Sequence, residues 1–141
     1  MIGILKMNMA EITDGITVLA RHIPANVCWD KGLSFFSSDC EFQQVGTWGY
    51  DAGKTLQAHV HKNVPRTIDR TQEVLFVKQG KIEAEIFDTS DVKVAVIEVC
   101  AGDILILLEG GHGYRILEDD TQVLEIKNGP YVGANDDRRR I

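Results

Sequence analysis

The chain is poor in cysteine and lacks any apolar run long enough to cross a membrane. Its three cysteines, Cys28, Cys40 and Cys100, are widely spaced and include no Cys-x-x-Cys pair of the type that binds zinc or carries out redox chemistry. We interpret them as buried, reduced thiols. A transmembrane helix needs at least about 18 apolar residues in succession, and residues 1–9 lack the apolar centre of a signal peptide. These absences favour a cytoplasmic protein that has no membrane partner.

Net positive charge is also missing. Lysine and arginine total 15 against 21 aspartate and glutamate residues, which gives a formal net charge of −6 and an isoelectric point near 5.1. Proteins that bind nucleic acids need a basic surface to neutralise phosphates. The single basic run, residues 138–140, directly follows two aspartates and is interpreted as a solvated tail. We therefore expect no nucleic-acid partner.

Several catalytic signatures are absent as well. The sequence has no Gly-x-Ser-x-Gly elbow, no phosphate-binding loop and no dinucleotide fingerprint. This argues against a serine nucleophile and against an ATP- or NAD-dependent enzyme. What is present is ordinary for a globular protein: 141 residues, of which 44% are hydrophobic and 26% are charged. That length suits one hydrophobic core, so we predict a single domain spanning residues 1–141.

From about residue 42 onward, short β-like runs alternate with turns rich in glycine, aspartate and asparagine. The turns recur at intervals of about ten residues, which is typical of an all-β sandwich or barrel. In the run Lys81–Phe87, apolar and charged side chains alternate, as in a strand with one buried face. This run and residues 74–77 flank the dipeptide Gln79-Gly80, and the pattern predicts a β-hairpin.

The remaining turn and strand-ending residues complete the predicted fold. Further turns are predicted at residues 88–91, 101–103, 109–111 and 118–120. Residues 121–127 make a last strand, which Pro130 ends because proline cannot continue a ladder. Residues 1–41 have no clear period, and we expect them to pack across the barrel, add an edge strand or form a dimer interface. The prediction is an all-β barrel over about residues 42–128 with an irregular N-terminal segment.

His59 and His61 are the first candidate site residues. They lie two apart on a run that we interpret as a strand, so both imidazoles would point to the same face. Two neutral imidazoles on one face are a ready pair of metal ligands. A His-x-His pair taken alone is as often part of the exposed, polar face of a strand. The residues around it therefore decide whether it indicates a metal site.

Those surrounding residues form a recognisable order. Gly53 precedes His59 by six positions, Glu73 opens the next strand, and Gly80 follows Glu73 by seven positions. A second segment runs from Gly102 to His112 through the sequence Gly-Asp-Ile-Leu-Ile-Leu-Leu-Glu-Gly-Gly-His. Together these segments resemble the two motifs of the cupin superfamily, and in particular its small single-domain bacterial members. The resemblance covers about residues 46–127.

The resemblance implies a cupin-type double-stranded β-helix, or jelly-roll barrel, with a metal site inside it. The first cupin motif supplies two histidines and a glutamate, and the second supplies one histidine. In this sequence the matching residues are His59, His61, Glu73 and His112.

The sequence departs from the cupin pattern in two places. Eleven residues separate His61 from Glu73 where the family has three or four, so residues 62–72 must loop out. The second motif lacks its usual proline near Leu108, and its histidine comes one residue early. The pair Gly110-Gly111 can absorb that slip, because glycine accepts a positive φ.

Three imidazoles and one carboxylate suit Fe, Mn, Ni, Co, Cu or Zn better than Mg or Ca. Such a set leaves positions of an octahedral ion open to substrate or dioxygen. The alternative is that these side chains line a polar barrel mouth without a metal.

Other residues are candidates for substrate binding or catalysis. Arg66 and Arg70 lie on the inserted segment and could clamp a carboxylate or phosphate, or could simply pair with nearby acids. Tyr114 could line a pocket for a sugar or another ring, as could the aromatic residues Trp48 and Tyr50.

Glu125 alternates with Leu124 and Ile126 in the last strand. It would be a general base if it faced the barrel, but we expect the apolar neighbours to take the core face.

These observations lead to two functional hypotheses. The first is a metal-binding cupin that acts on a small polar substrate, such as a sugar or sugar acid, by isomerase-like, epimerase-like or dioxygenase-like chemistry. The alternative is a non-catalytic cupin that binds a small molecule and has a structural metal or none. A homodimer is expected, because exposed sheet edges need covering and two-fold dimers are the commonest assembly.

Overall fold

The computed structural model describes residues 9–141 and is all-β, as predicted. The only helix in this part of the chain, α1 (Ala134–Asp137), is one turn long, and residues 9–141 contain no helix long and apolar enough to cross a membrane. The strands are β1 (Ala10–Thr13), β2 (Val18–Ile23), β3 (Gly32–Phe35), β4 (Gly46–Gly49), β5 (Glu73–Gln79), β6 (Lys81–Phe87), β7 (Lys93–Cys100), β8 (Ile104–Leu107), β9 (Gly111–Ile116) and β10 (Gln122–Lys127).

The described chain forms two compact units. The first comprises residues 9–27 and 71–141, and the second comprises residues 28–70. The first unit contains two antiparallel sheets, one of five strands in the order β1-β2-β8-β5-β10 and one of three strands in the order β7-β6-β9. The second unit contains the two-stranded sheet β3-β4. The single domain proposed from sequence stays a prediction.

The two sheets of the first unit share one hydrophobic core. Strand β6 contributes Ile82, Ala84 and Ile86, which are buried in the alternation predicted from sequence. Strands of the larger sheet contribute residues such as Leu75 and Leu105 to the same cluster. Burying an aliphatic side chain of this size stabilises a fold by about 1.5–3 kcal/mol. The core therefore fixes which face of each strand is the inner one.

The predicted hairpin of residues 74–77 with Lys81–Phe87 was wrong, although both segments are strands. Strand β5 pairs with β8 and β10, whereas β6 pairs with β7 and β9. The Gln79-Gly80 turn carries the chain from one sheet to the other. Gly80 has a φ of +79°, and a Cβ added there would clash with Thr121. Only glycine fits this crossing without strain.

Asp103, which follows the glycine of the second motif, is a buried structural hub. Its carboxylate accepts hydrogen bonds from the backbone N–H of Ala25 at 2.8 Å and of Cys100 at 2.9 Å. It also lies 2.8 Å from Nε2 of His22. These contacts join the end of β2 to the turn between β7 and β8. His22 is therefore one of the residues that Asp103 holds in place.

The other turns follow the prediction, and β10 ends before Asn128-Gly129-Pro130. In the first unit, residues 9–27 add an edge strand, β1, as expected for part of the N-terminal segment, and residues 1–8 lie outside the described chain. None of the sheets in the described residues closes into a barrel, so the predicted closed barrel is not observed. All three cysteines are free, but the prediction of buried thiols was wrong for Cys28 and Cys40, which are exposed.

The C-terminal basic run is exposed to solvent, as predicted, but the segment around it also makes several contacts with the first unit. Arg139 donates two hydrogen bonds to the Asp91 carboxylate, at 2.7 and 3.0 Å. Thr71 donates to Oδ1 of Asp137 at 2.6 Å. Ile141 packs so closely on Gly111 that a Cβ added at Gly111 would clash with it. The segment is thereby fixed to three different parts of the first unit.

Candidate functional site

Glu73 lies at the first position of β5, on the inner face of the larger sheet. Side chains alternate across a strand, so Glu73 shares a face with Leu75 and Val77, which are core residues. Its side chain is only 12% exposed. Glu73 therefore stands at the rim of the core, where apolar packing ends.

The neighbouring strand β10 places two more charged groups on that face. Lys127 lies opposite Glu73 and Glu125 lies opposite Leu75, and residues directly opposite in an antiparallel pair project to the same side. Nζ of Lys127 is 3.0 Å from Oε1 of Glu125 and 3.9 Å from Oε1 of Glu73.

The expectation that apolar residues of β10 would take the core face was wrong. Leu124 and Ile126 are 54% and 49% exposed, on the opposite side of the strand from Glu125. Strand β10 lies at the edge of the larger sheet, where the core no longer covers the inner face completely. The charged residues can therefore point inward and still reach water.

The smaller sheet contributes His112 and Tyr114 from its edge strand β9. They lie opposite Ile86 and Ala84 of β6, which places them on the inner face as well. Nε2 of His112 is 3.2 Å from Oε2 of Glu73. The His112 and Tyr114 rings are 5.3 Å apart, centroid to centroid. A contact between Glu73 and His112 thus joins the two sheets.

We call Glu73, His112, Tyr114, Glu125 and Lys127 the polar cluster. Its members come from three strands and gather at the open edge between the two sheets. Of these five, Lys127 was not a candidate from sequence. Its two-residue spacing from Glu125 was the available signal, but the register that sets it opposite Glu73 is not visible in the sequence.

The electrostatics of the polar cluster favour a charged Glu73 carboxylate and a neutral Tyr114 phenol. The hydrogen bond from His112 lowers the pKa of Glu73, the positive charges of His112 and Lys127 add to this effect, and burial opposes it. The hydrogen bond and negative charge of Glu125 raise the pKa of Lys127. Burial, followed by the charges of Glu73 and Glu125, raises the pKa of Tyr114 far above its ordinary value. Tyr114 therefore keeps its proton and can donate a hydrogen bond.

The Glu73–His112 contact has the spacing of two ligands on one metal ion. Neighbouring ligands bonded at about 2.1 Å lie about 3.0 Å apart on an octahedral ion and about 3.4 Å apart on a tetrahedral ion. The observed distance of 3.2 Å falls between these values. It also suits a charge-assisted hydrogen bond. In the described part of the chain, no group of three or more His, Cys, Asp or Glu side chains is close enough together to hold a metal.

The other two predicted ligands lie in the second unit. The prediction of a strand there was wrong, because residues 54–69 have no regular secondary structure. The His59 and His61 rings are nevertheless 5.1 Å apart at an interplanar angle of 78°. Nδ1 of His59 is 3.2 Å from the carbonyl oxygen of Gln57. The two histidines are exposed and adjacent, and their role as ligands stays a prediction.

The predicted arginines make local contacts within the second unit. Arg70 donates to Oδ1 of Asp69 at 3.0 Å, and its guanidinium lies 5.2 Å from the Phe42 ring centroid. Arg66 donates to the carbonyl oxygen of Val64 at 3.4 Å. These are the contacts expected of a surface loop. An anion-binding role for either arginine stays a prediction.

Comparison of the chain with protein-family models, with curated proteins and with solved structures gives no significant match.

Proposed function

We propose that the polar cluster is the centre of a cupin-type site that binds a divalent transition metal and a small polar substrate. The observation that carries this proposal is the 3.2 Å contact between Glu73 and His112 at the open edge of the core. A carboxylate oxygen and an imidazole nitrogen are both ligands of Fe, Mn, Ni, Co, Cu and Zn. The resemblance to cupins adds His59 and His61 as further predicted ligands and a jelly-roll as the proposed architecture.

A metal and a proton would compete at this contact. A hydrogen bond between Glu73 and His112 needs a proton on Nε2 of His112, whereas metal binding needs that nitrogen unprotonated. The negative charge that remains on Glu73, because its pKa is lowered, attracts either partner. A hydrogen bond between Glu73 and His112 and a metal ion bound at Nε2 of His112 therefore exclude each other.

The other members of the polar cluster would act on the substrate. When bound, the metal would polarise a carbonyl or hydroxyl oxygen. Glu125, with a carboxylate at the solvent-accessible edge, is placed to accept a proton, and Lys127 holds it in position at 3.0 Å. Tyr114, which stays protonated, would donate a hydrogen bond to a substrate oxygen. This arrangement suits proton transfer on a sugar or sugar acid.

One observation favours the alternative of a non-catalytic binding site. The carboxylate of Glu125 already contacts the ammonium of Lys127 at 3.0 Å, so one of its oxygens has a partner before any substrate binds. A binding protein would retain a small polar ligand at the polar cluster without converting it. Ligand recovered unchanged after long incubation with metal-loaded protein would favour this alternative over an isomerase or epimerase.

Metal analysis of untagged protein tests the site. Mass spectrometry of the wild type after incubation with Mn, Fe, Ni or Zn and removal of free ions should find about one bound ion per chain. Glu73→Gln and His112→Asn should each lose most of it. Glu83→Gln is the matched control, because Glu83 pairs with Arg115 on the outer face of β6.

Separate variants, His59→Ala and His61→Ala, test the ligands that the cupin resemblance predicts. Metal retained by Glu73→Gln and His112→Asn, or never bound by the wild type, would reject the metal site.

A further inference from the structure

The second unit contains an open cleft at the end of the β3–β4 hairpin. Gly32 and Gly49 are paired across the two strands there, so neither strand places a side chain at this point. Gly32 has a φ of +80°, and a Cβ added to it would meet nothing within 4 Å. At the glycine pair, the surface of the cleft therefore consists of backbone without side chains, and the space next to it is open.

The segments on either side of the glycine pair carry the same three kinds of side chain. Trp29, Asp30 and Lys31 come immediately before Gly32, and Tyr50, Asp51 and Lys54 come after Gly49. All six line the cleft. Its volume of about 600 Å³ is within the range of small-molecule sites.

Two aromatic rings give the cleft its apolar surface. Trp29 is 56% exposed and Tyr50 is 42% exposed, so both present ring area to a ligand. The Tyr50 ring is positioned by its neighbours, with the Trp48 ring centroid 6.1 Å away and Nζ of Lys54 5.8 Å away. An aromatic ring that is exposed but held in place can stack on an apolar ligand face at low entropic cost.

The charges of the cleft are balanced. Two aspartates and two lysines line it, and Nζ of Lys31 is 3.5 Å from Oδ2 of Asp51. With equal numbers of each sign, the cleft has no net attraction for phosphate or another strong anion. The carboxylates can accept hydrogen bonds from hydroxyl groups, and the ammonium groups can donate to ring or hydroxyl oxygens. Such a surface suits an uncharged ligand with many hydroxyl groups.

We infer that this cleft binds the ring of a neutral saccharide. The C–H face of a pyranose would stack on Trp29 or Tyr50, while its hydroxyl groups would hydrogen-bond with the charged side chains at the margin. The inference rests on the second unit alone and does not depend on metal binding by the polar cluster.

A fluorescence titration tests this inference directly. The chain has two tryptophans, of which Trp29 lines the cleft and serves as the reporter in the wild-type protein, and Trp48 is kept because its ring lies beside that of Tyr50. The probes are methyl glycosides of glucose, galactose, mannose and N-acetylglucosamine, with the corresponding disaccharides. The expected result is a saturable change in Trp29 emission with a Kd of roughly 1 mM for at least one probe. Sorbitol, an acyclic polyol without a ring face, should give no saturable change.

Further variants decide whether the cleft itself is responsible. Tyr50→Ala and Asp51→Asn should each weaken binding about ten-fold or more, whereas Glu83→Gln, a change in the first unit, should leave it unchanged. Circular dichroism checks that each variant is folded, and Tyr50→Phe, which keeps the ring, should retain most of the affinity if Tyr50→Ala does not fold. No saturable response to any probe up to about 100 mM, or equal responses to sorbitol, would overturn the inference.

The outcome is distinguishable from that of the proposed function, because Tyr50→Ala should lose saccharide binding and keep its metal content.

Discussion

The Glu73 carboxylate and the His112 imidazole meet between two different sheets, with Oε2 3.2 Å from Nε2. Because each residue lies on the inner face of its own sheet, the contact closes the polar end of the core, and the same two side chains are the proposed metal ligands. The same pair can therefore be tested through stability in the absence of metal and through metal binding.

Replacing Glu73 with glutamine should destabilise the metal-free protein in a pH-dependent way. The pKa of Glu73 is lowered in the folded state, chiefly by its hydrogen bond with His112, so its contribution to stability is present above the unfolded pKa and is lost as pH falls through the folded pKa. Urea unfolding at pH 7 should find the variant less stable by about 1–3 kcal/mol. The difference should shrink steadily below about pH 4. A difference that stayed constant down to pH 3, or matched that of Glu83→Gln, would contradict this account.

Replacing Lys127 with methionine should raise the pKa of Glu73. The lysine charge lowers that pKa in the native protein, and methionine keeps much of the side-chain volume while removing the charge. Side-chain carboxyl NMR of the metal-free protein, followed as a function of pH, measures the change. Lys127→Arg, which keeps the charge, serves as the control and should leave the titration of Glu73 near its wild-type position.

Removing the Asp103 side chain should lower the free energy of unfolding more than removing the side chain of an exposed aspartate does. Asp103→Ala leaves the N–H groups of Ala25 and Cys100 without their acceptor and frees His22 from its contact. A buried donor left unsatisfied costs about 1–3 kcal/mol, so a loss of about 2–6 kcal/mol is expected for the two donors together. Thermal and urea unfolding measure it against Asp119→Ala, which changes an exposed turn. Equal stability of the two variants would refute the role of Asp103 as an anchor.

Alanine at Gly80 should be far more harmful than alanine at Gly15. Both glycines have positive φ, so both substitutions carry a backbone cost of about 1–2 kcal/mol. A Cβ at Gly80 would also clash with Thr121, whereas one at Gly15 would meet nothing within 4 Å. Urea unfolding should therefore place Gly80→Ala well below Gly15→Ala in stability. Similar losses at both positions would mean that the crossing between the sheets can relax around a methyl group.

Periodicity predicted the strands from β5 to β10 but could not predict their partners, and the strand predicted at His59 and His61 was wrong. The alternation in Lys81–Phe87 identified the buried face of β6, because burial follows directly from side-chain spacing. Pairing depends on contacts distant in the chain, and for this reason β5 and β6 were taken for a hairpin although they lie in different sheets.

The candidate site was predictable to a similar degree. Glu73 and His112 were named from the resemblance to the cupin motifs, and they lie in contact. The inward orientation of Glu125 and Lys127 was missed, because at an edge strand the polar residues can take the inner face and still reach solvent. His59 and His61 are adjacent for a different reason from the one predicted, since they occupy an irregular segment instead of a strand.

The packing of Ile141 on Gly111 has a practical consequence for how this protein is purified. Gly111 directly precedes His112, so Ile141 lies against the side of β9 that faces away from the polar cluster. A polyhistidine tag at that end would bind metal ions with its own imidazoles and would add to the bound metal that is counted. It would also disturb the contact that holds the segment in place. Preparations intended for metal or ligand measurements should therefore leave this end of the chain unmodified.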